Sequence, residues 1–195
     1  HLILKNSSHK SHQNNMIIEK PKKKRVNGKA KGNSFESKIA KALSAALPIN
    51  FMKSAGSGAK IGGMNFATIG KMMGEEVMKL FNADVVPMNE EKAGYKFKYS
   101  LECKSYASPD NFTTLVAGTA NVFKWFQESV VDSEKIHRIP ILIFKWNHTK
   151  TFVALKRGTA APMAPKLSIS NTQSALDIYD FDELLKFPDF WVTKT

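Results

Sequence analysis

Across residues 95–106 apolar and polar side chains alternate, strictly so up to Lys104. Tyr95, Phe97, Tyr99, Leu101 and Cys103 fall on one side, and Lys96, Lys98, Ser100, Glu102 and Lys104 on the other. A period of two is the signature of a β-strand with one face turned to a core, so the segment predicts one continuous strand whose apolar side other elements must cover. It also fixes a pair. Residues two apart leave a strand on the same face, so Glu102 and Lys104 project together while Cys103 turns away.

The covering elements are read from other periodicities. Over 33–47 the residues Phe35, Ile39, Ala42, Leu43, Ala46 and Leu47 recur at helical spacing, and Asn33 with Glu36 three positions on has the form of a capping box. Residues 49–54 and 83–87 predict short strands. Between them, Gly56-Ser57-Gly58 and Gly62-Gly63 mark a loop, and 66–81 carries a second helical pattern. After Ser108-Pro109-Asp110, one face of a single long helix is formed by Leu115, Thr119, Val122, Phe123, Phe126 and Val130. Residues 139–146 and 151–155 then flank a short hairpin loop. A Pro-rich excursion (Pro162, Pro165) precedes a short helix over 180–185. This mixture predicts an α/β chain with a central mixed β-sheet flanked by helices and no internal repeat.

At 195 residues and 43% apolar, the chain has material for one core. Its net charge is +12, and residues 1–31 hold eight Lys and Arg25 against Glu19 alone, or +8 of that excess. That segment is poor in apolar groups and is expected to be a disordered basic tail, with the domain over 32–195. The first residue is His, and Met16 precedes a plausible start, which leaves residues 1–15 as either a remnant or an upstream extension. A basic excess points to a polyanionic partner, since displacing counterions from phosphates drives nucleic-acid binding. The lone Cys103 excludes an intramolecular disulfide and cysteine-based zinc modules. The longest aliphatic run, 139–144 broken by Pro140, is far short of the roughly 20 residues that span a bilayer. No secretory signal pattern stands at the start, so a cytoplasmic protein is expected, nucleoid-associated or in a phage-infected host.

If the strand holding Asp84 pairs with the one holding Glu102, two carboxylates and the Lys104 ammonium converge. Hard oxygen donors of this kind suit Mg²⁺, which takes a few carboxylates and keeps waters and substrate phosphate in its other positions. Such an ion activates water and polarises a phosphate, while Lys104 orients the nucleophile or offsets developing charge. The plainer alternative is a solvated strand face with a cross-strand ion pair.

Asp84-Val85-Val86-Pro87 followed by Glu102-Cys103-Lys104 resembles the bipartite motif of the PD-(D/E)XK nuclease superfamily. Lys31-Gly32-Asn33-Ser34-Phe35-Glu36 is similar to the opening of archaeal-type Holliday junction resolvases and their phage-borne relatives, and Lys53-Ser54-Ala55-Gly56-Ser57-Gly58 to their basic-small-Gly-Ser loop. The resemblance covers residues 29–157, a nuclease core over 32–157 with a C-terminal extension over 158–195 that has no matching counterpart. It implies a restriction-endonuclease-like sheet. It further implies catalysis by Glu36, Asp84, Glu102 and Lys104, with Mg²⁺ (Mn²⁺ substituting) held by Glu36, Asp84, Glu102 and the backbone carbonyl of Cys103. DNA contacts are implied at Lys31, Lys53, Ser54 and Ser57. Two departures stand out: the stretch between Ser57 and Asp84 is long, and Lys53 stands where arginine is common.

Glu36 keeps two readings, as metal ligand and as capping residue. Pro21-Lys22-Lys23-Lys24-Arg25-Val26 reads first as a DNA-binding run, through Lys22, Lys23, Lys24 and Arg25, and second as a nuclear-import signal. Gln127 is read as a solvated helix residue, and His137 and His148 as loop or surface residues. The glycines of 56–63 lack the Gly-Lys-Ser/Thr of a P-loop, so no nucleotide cofactor is expected. The expectation is a Mg²⁺-dependent, structure-specific DNA endonuclease, a junction resolvase, and a homodimer because a four-way junction is two-fold symmetric. Its rivals are a restriction- or repair-type nuclease on the same fold and a basic DNA-binding protein without catalysis.

Overall fold

The computed structural model describes residues 28–54 and 83–195. The basic tail with Lys22, Lys23, Lys24 and Arg25, the glycine loop with Ser57, and the helix expected over 66–81 lie outside the described residues. In chain order the elements are α1 (Gly28–Ala46), β1 (Phe51–Lys53), β2 (Val85–Pro87), α2 (Glu90–Ala93), β3 (Tyr95–Phe97), β4 (Tyr99–Tyr106), α3 (Phe112–Val116) and α4 (Asn121–Glu134). They continue with β5 (Ile139–Trp146), β6 (Phe152–Lys156), β7 (Leu167–Ser170), β8 (Ala175–Asp180), α5 (Phe181–Leu184), α6 (Pro188–Trp191) and β9 (Val192–Lys194).

Seven strands form one sheet in the order β1-β2-β4-β5-β6-β8-β7, with β4 and β5 parallel and the other neighbours antiparallel. The sheet is mixed and covered on both faces, as the sequence predicts. Ile141 and Ile143 of β5 enter one core with Leu101, Cys103 and the α1 residues Phe35, Ile39 and Leu43. Leu142 and Phe144 enter a second core with Val122, Phe123, Trp125 and Phe126 of α4. Burial on both faces is what a continuous apolar run such as β5 encodes. Each fully buried aliphatic side chain contributes about 1.5–3 kcal/mol.

Three expectations are corrected. First, α1 begins at Gly28, five residues before Asn33, so Asn33 is no cap: its carbonyl accepts a hydrogen bond from Ser37 Oγ at 3.0 Å inside the helix. Lys29, Ala30 and Lys31 are good helix formers and extend it backwards. Second, the alternating segment is two strands. Lys98 N donates to Trp191 O at 3.1 Å while Lys98 O accepts from Ile139 N at 3.1 Å, so the chain changes sheet at this residue. Before it β3 pairs with β9, and after it β4 pairs with β5. Third, the long helix after Asp110 is broken into α3 and α4. Gly118 takes φ 70°, and Asp110 Oδ1 accepts from Asn121 N at 3.1 Å, starting α4 afresh.

The C-terminal segment belongs to the same body. β8 and β7 extend the main sheet beyond β6, and Trp191, fully buried, packs against Phe97, Tyr99, Phe181 and Phe190. Its indole N–H donates to Leu184 O at 3.1 Å. Among the described residues no helix is long and apolar enough to cross a membrane.

Candidate active site

The site lies where β2 leaves β4. The two strands share a single paired position, Val85 with Leu101, and the next residue back, Asp84, stands opposite Glu102. Asp84 N donates to Leu101 O at 2.9 Å, but its carboxylate then takes over the ladder: Asp84 Oδ2 accepts from Cys103 N at 2.8 Å. A side chain thus replaces the next backbone partner, and the edge of β4 opens there. The N–H and C=O of one strand residue leave on the same edge, so the Cys103 carbonyl also points toward Asp84. From the adjoining strand, Ser54 N donates to Asp84 O at 3.0 Å.

Glu102 and Lys104 leave β4 toward α4, as their spacing requires, and meet each other with Oε1 and Nζ 2.7 Å apart. Lys104 Nζ is also 2.9 Å from Oε2 of Glu128 on α4. On the other side of the edge, Glu36 of α1 is 8% exposed, and its Oε2 is buried with no hydrogen-bond partner among the described residues; Lys53 Nζ forms an ion pair with it at 3.7 Å. The helix interior supplies this position, so the capping reading of Glu36 falls with that of Asn33.

Burial dominates the electrostatics. It pushes Glu102 up to about 8, with the Asp84 charge raising it further and Lys104 pulling the other way. Glu36 is raised by burial and by Asp84, against Lys53. Desolvation works against the Lys104 ammonium, but Glu102 and Glu128 outweigh it and hold the group above its ordinary range. The Cys103 thiol is buried and pushed up, chiefly by desolvation, which leaves its backbone as its contribution to the site. Crowded, buried carboxylates that raise one another are an environment that a cation relieves.

Among the described residues no three His, Cys, Asp or Glu side chains stand as a preformed metal cluster. Glu102 is drawn to Lys104 and Glu36 toward Lys53. Mg²⁺ needs only one or two protein carboxylates and retains waters elsewhere, so an all-oxygen set of Asp84, Glu102, Glu36 and the Cys103 carbonyl fits it, whereas no cysteine or histidine set for zinc is present among the described residues.

The remaining predicted residues are distributed unevenly. Lys53 faces the site through Glu36, while Ser54 is 2% exposed with its hydroxyl buried, so it presents no hydroxyl to a DNA backbone and instead holds Asp84 through its own amide. Lys31 lies half-buried on α1. Gln127 is exposed, as expected, and so are His137 and His148, both with positive φ. Sequence reasoning does not single out Glu128. It is three residues after the buried Trp125 on the amphipathic face of α4, a position that periodicity places at the boundary of core and solvent.

A mixed sheet with helices on both faces and an acidic edge beside a Glu-x-Lys strand is the restriction-endonuclease-like fold. The chain belongs to the family described as "Phage putative PDDEXK endonuclease", whose model matches residues 27–188, a span that includes Glu36, Asp84, Glu102 and Lys104. No curated protein and no solved structure matches the chain.

Proposed function

We propose that this chain is a Mg²⁺-dependent, structure-specific DNA endonuclease that resolves four-way junctions. The observation that carries the reading is the convergence of Asp84, Glu102 and Lys104 at one sheet edge with the buried carboxylate of Glu36, which is raised by Asp84 and faced by Lys53. Asp84, Glu102, Glu36 and the Cys103 carbonyl would hold the ion, with Mn²⁺ able to replace it, and the ion would supply activation of a water and charge to offset that on the scissile phosphate.

The protein's own part is positioning and charge. Lys104, kept protonated by Glu102 and Glu128, is an electrostatic stabiliser of the pentavalent phosphate and not a base. A preorganised donor of this kind contributes on the order of 10²–10³ in rate. Asp84 is tied at its carboxylate by Cys103 N and at its carbonyl by Ser54 N, so the carboxylate is aimed without reorganisation. The basic run Lys22, Lys23, Lys24 and Arg25, together with Lys31, Lys53 and the Ser57 loop, contacts the DNA backbone.

The resemblance at 31–36 and 53–58 supports junctions as substrate, and a two-fold symmetric junction supports a homodimer with two equivalent sites. Cleavage of labelled four-way junction, linear duplex and single-stranded DNA, side by side with Mg²⁺ and with chelator, tests this. Paired nicks in the junction strands related by the two-fold axis are expected, at rates well above those on duplex. Equal rates on linear duplex would make it a restriction- or repair-type nuclease; binding with no cleavage in any metal would leave a DNA-binding protein.

A further inference from the structure

Beside the candidate site, α1 and the turn between β5 and β6 enclose an open groove of about 390 Å³, lined among others by Lys31, Ser34, Lys38, Ser105, Lys145 and His148. Its construction follows from the two periods. Lys145 continues the face of Ile141 and Ile143 on β5, and Ser105 that of Leu101 and Cys103 on β4; the two are paired across the parallel ladder. Lys31, Ser34 and Lys38 recur at i, i+3 and i+7 and so share one side of α1. At the end of these strands the side of the sheet facing α1 thus carries a basic trough, which Phe35 also lines.

Among the described residues no carboxylate lines this groove, and its polar groups are cations and neutral donors. Two other grooves differ. The one along α4 sets Lys124 among Glu128 and Asp132, and the one at the opposite end of β4 sets Lys98 and Lys186 beside Asp189. Three ammonium groups with two hydroxyls and no acid among the described lining residues fit phosphate oxyanions. Lys31 and Lys38 are separated by about 10 Å along the helix at 1.5 Å per residue, enough to reach more than one phosphate of a strand whose nucleotides rise about 3.4 Å each along the duplex axis. The trough also abuts the chemistry. Ser105 follows Lys104 in β4, and Phe35 precedes Glu36 in α1.

Resting on the nuclease reading above, we infer that this groove holds backbone phosphates of the DNA strand flanking the scissile position, with Lys38 and Lys145 as residues that act on affinity and touch no reacting atom. The test is a Lys38→Ala/Lys145→Ala double variant of the full chain, with fluorescein-labelled linear duplex in metal-free buffer across a salt series, and cleavage with Mg²⁺ at saturating DNA. Affinity is expected to fall by on the order of tenfold or more, and the slope of log K against log salt by about 0.9 for each phosphate that the lysines no longer neutralise. The rate at saturation stays within a factor of two, and Lys38→Arg/Lys145→Arg restores affinity and slope. An unchanged affinity and slope in the alanine variant, with its thermal melt as wild type, overturns the groove while leaving the nuclease standing. Loss of saturated cleavage in parallel with an unchanged slope also overturns it, since the lysines would then serve the chemistry or the fold. If the wild type binds DNA with this salt dependence but cleaves nothing, the nuclease reading falls and the groove remains.

Discussion

Glu102 carries a cost that its neighbours do not remove. In the metal-free protein burial and Asp84 hold its carboxyl at about 8, against an ordinary value of 4.5. Between those two values the folded chain keeps a proton that the unfolded chain has released, so the stability this group contributes is full below 4.5 and is lost as pH rises through about 8. Glu102→Gln keeps the shape and removes the titration. Melted in chelator, the variant is expected to match wild type in acid and to exceed it above pH 8, by about 2–4 °C for each kcal/mol relieved in a chain of this size. A melting difference that does not change with pH contradicts the raised carboxyl. Residues of this site were unequally legible in sequence. Glu102 and Lys104 are two apart in an alternating strand, so their shared face is local information. Glu36 sits where a cap was expected, and only the extension of α1 back to Gly28 separates the two roles. Glu128 meets Lys104 across two elements that no local pattern connects.

Elements were legible wherever a period ran unbroken, as in α1, β5 and the hairpin to β6, and illegible where a single residue changed partners. Lys98 fits the alternation perfectly, yet its N–H bonds to Trp191, just before β9, while its carbonyl bonds to β5 of the main sheet. The break between α3 and α4 is likewise set by one residue. Gly118 has φ 70°, its carbonyl accepts from Asn171 Nδ2 at 3.2 Å, and an added Cβ would lie 2.6 Å from Asn171 Cβ. Gly118→Ala therefore meets both the left-handed penalty of about 1–2 kcal/mol and a steric clash with the turn after β7. A loss of about 2 kcal/mol or more, read from urea midpoints at unchanged m-value, is expected. An unchanged midpoint would mean that the turn yields without cost. Because α4 carries Glu128, the same glycine also fixes where the second partner of Lys104 stands.

At the scale of the molecule, the sheet is the device that brings distant residues together: the start of β2 sets Asp84 between Ser54, just after β1, and β4, which carries Glu102 on one face, while Lys53 and the α1 residue Glu36 meet on the other. The mixed sheet was legible because strand and helix periods alternate along the chain. The closing role of residues after 158 was not, since β7 and β8 are short and Trp191 acts through contacts with Phe97 and Tyr99, more than ninety positions earlier. Catalysis at one metal-assisted site on the edge of that sheet is tested most directly by single-turnover cleavage of junction DNA with Mg²⁺. Asp84→Asn, Glu102→Gln and Lys104→Ala are each expected to slow the step by about 10²–10³ or more while DNA binding and the folded circular-dichroism signal persist. Cleavage within a few-fold of wild type by any one of the three would contradict the site.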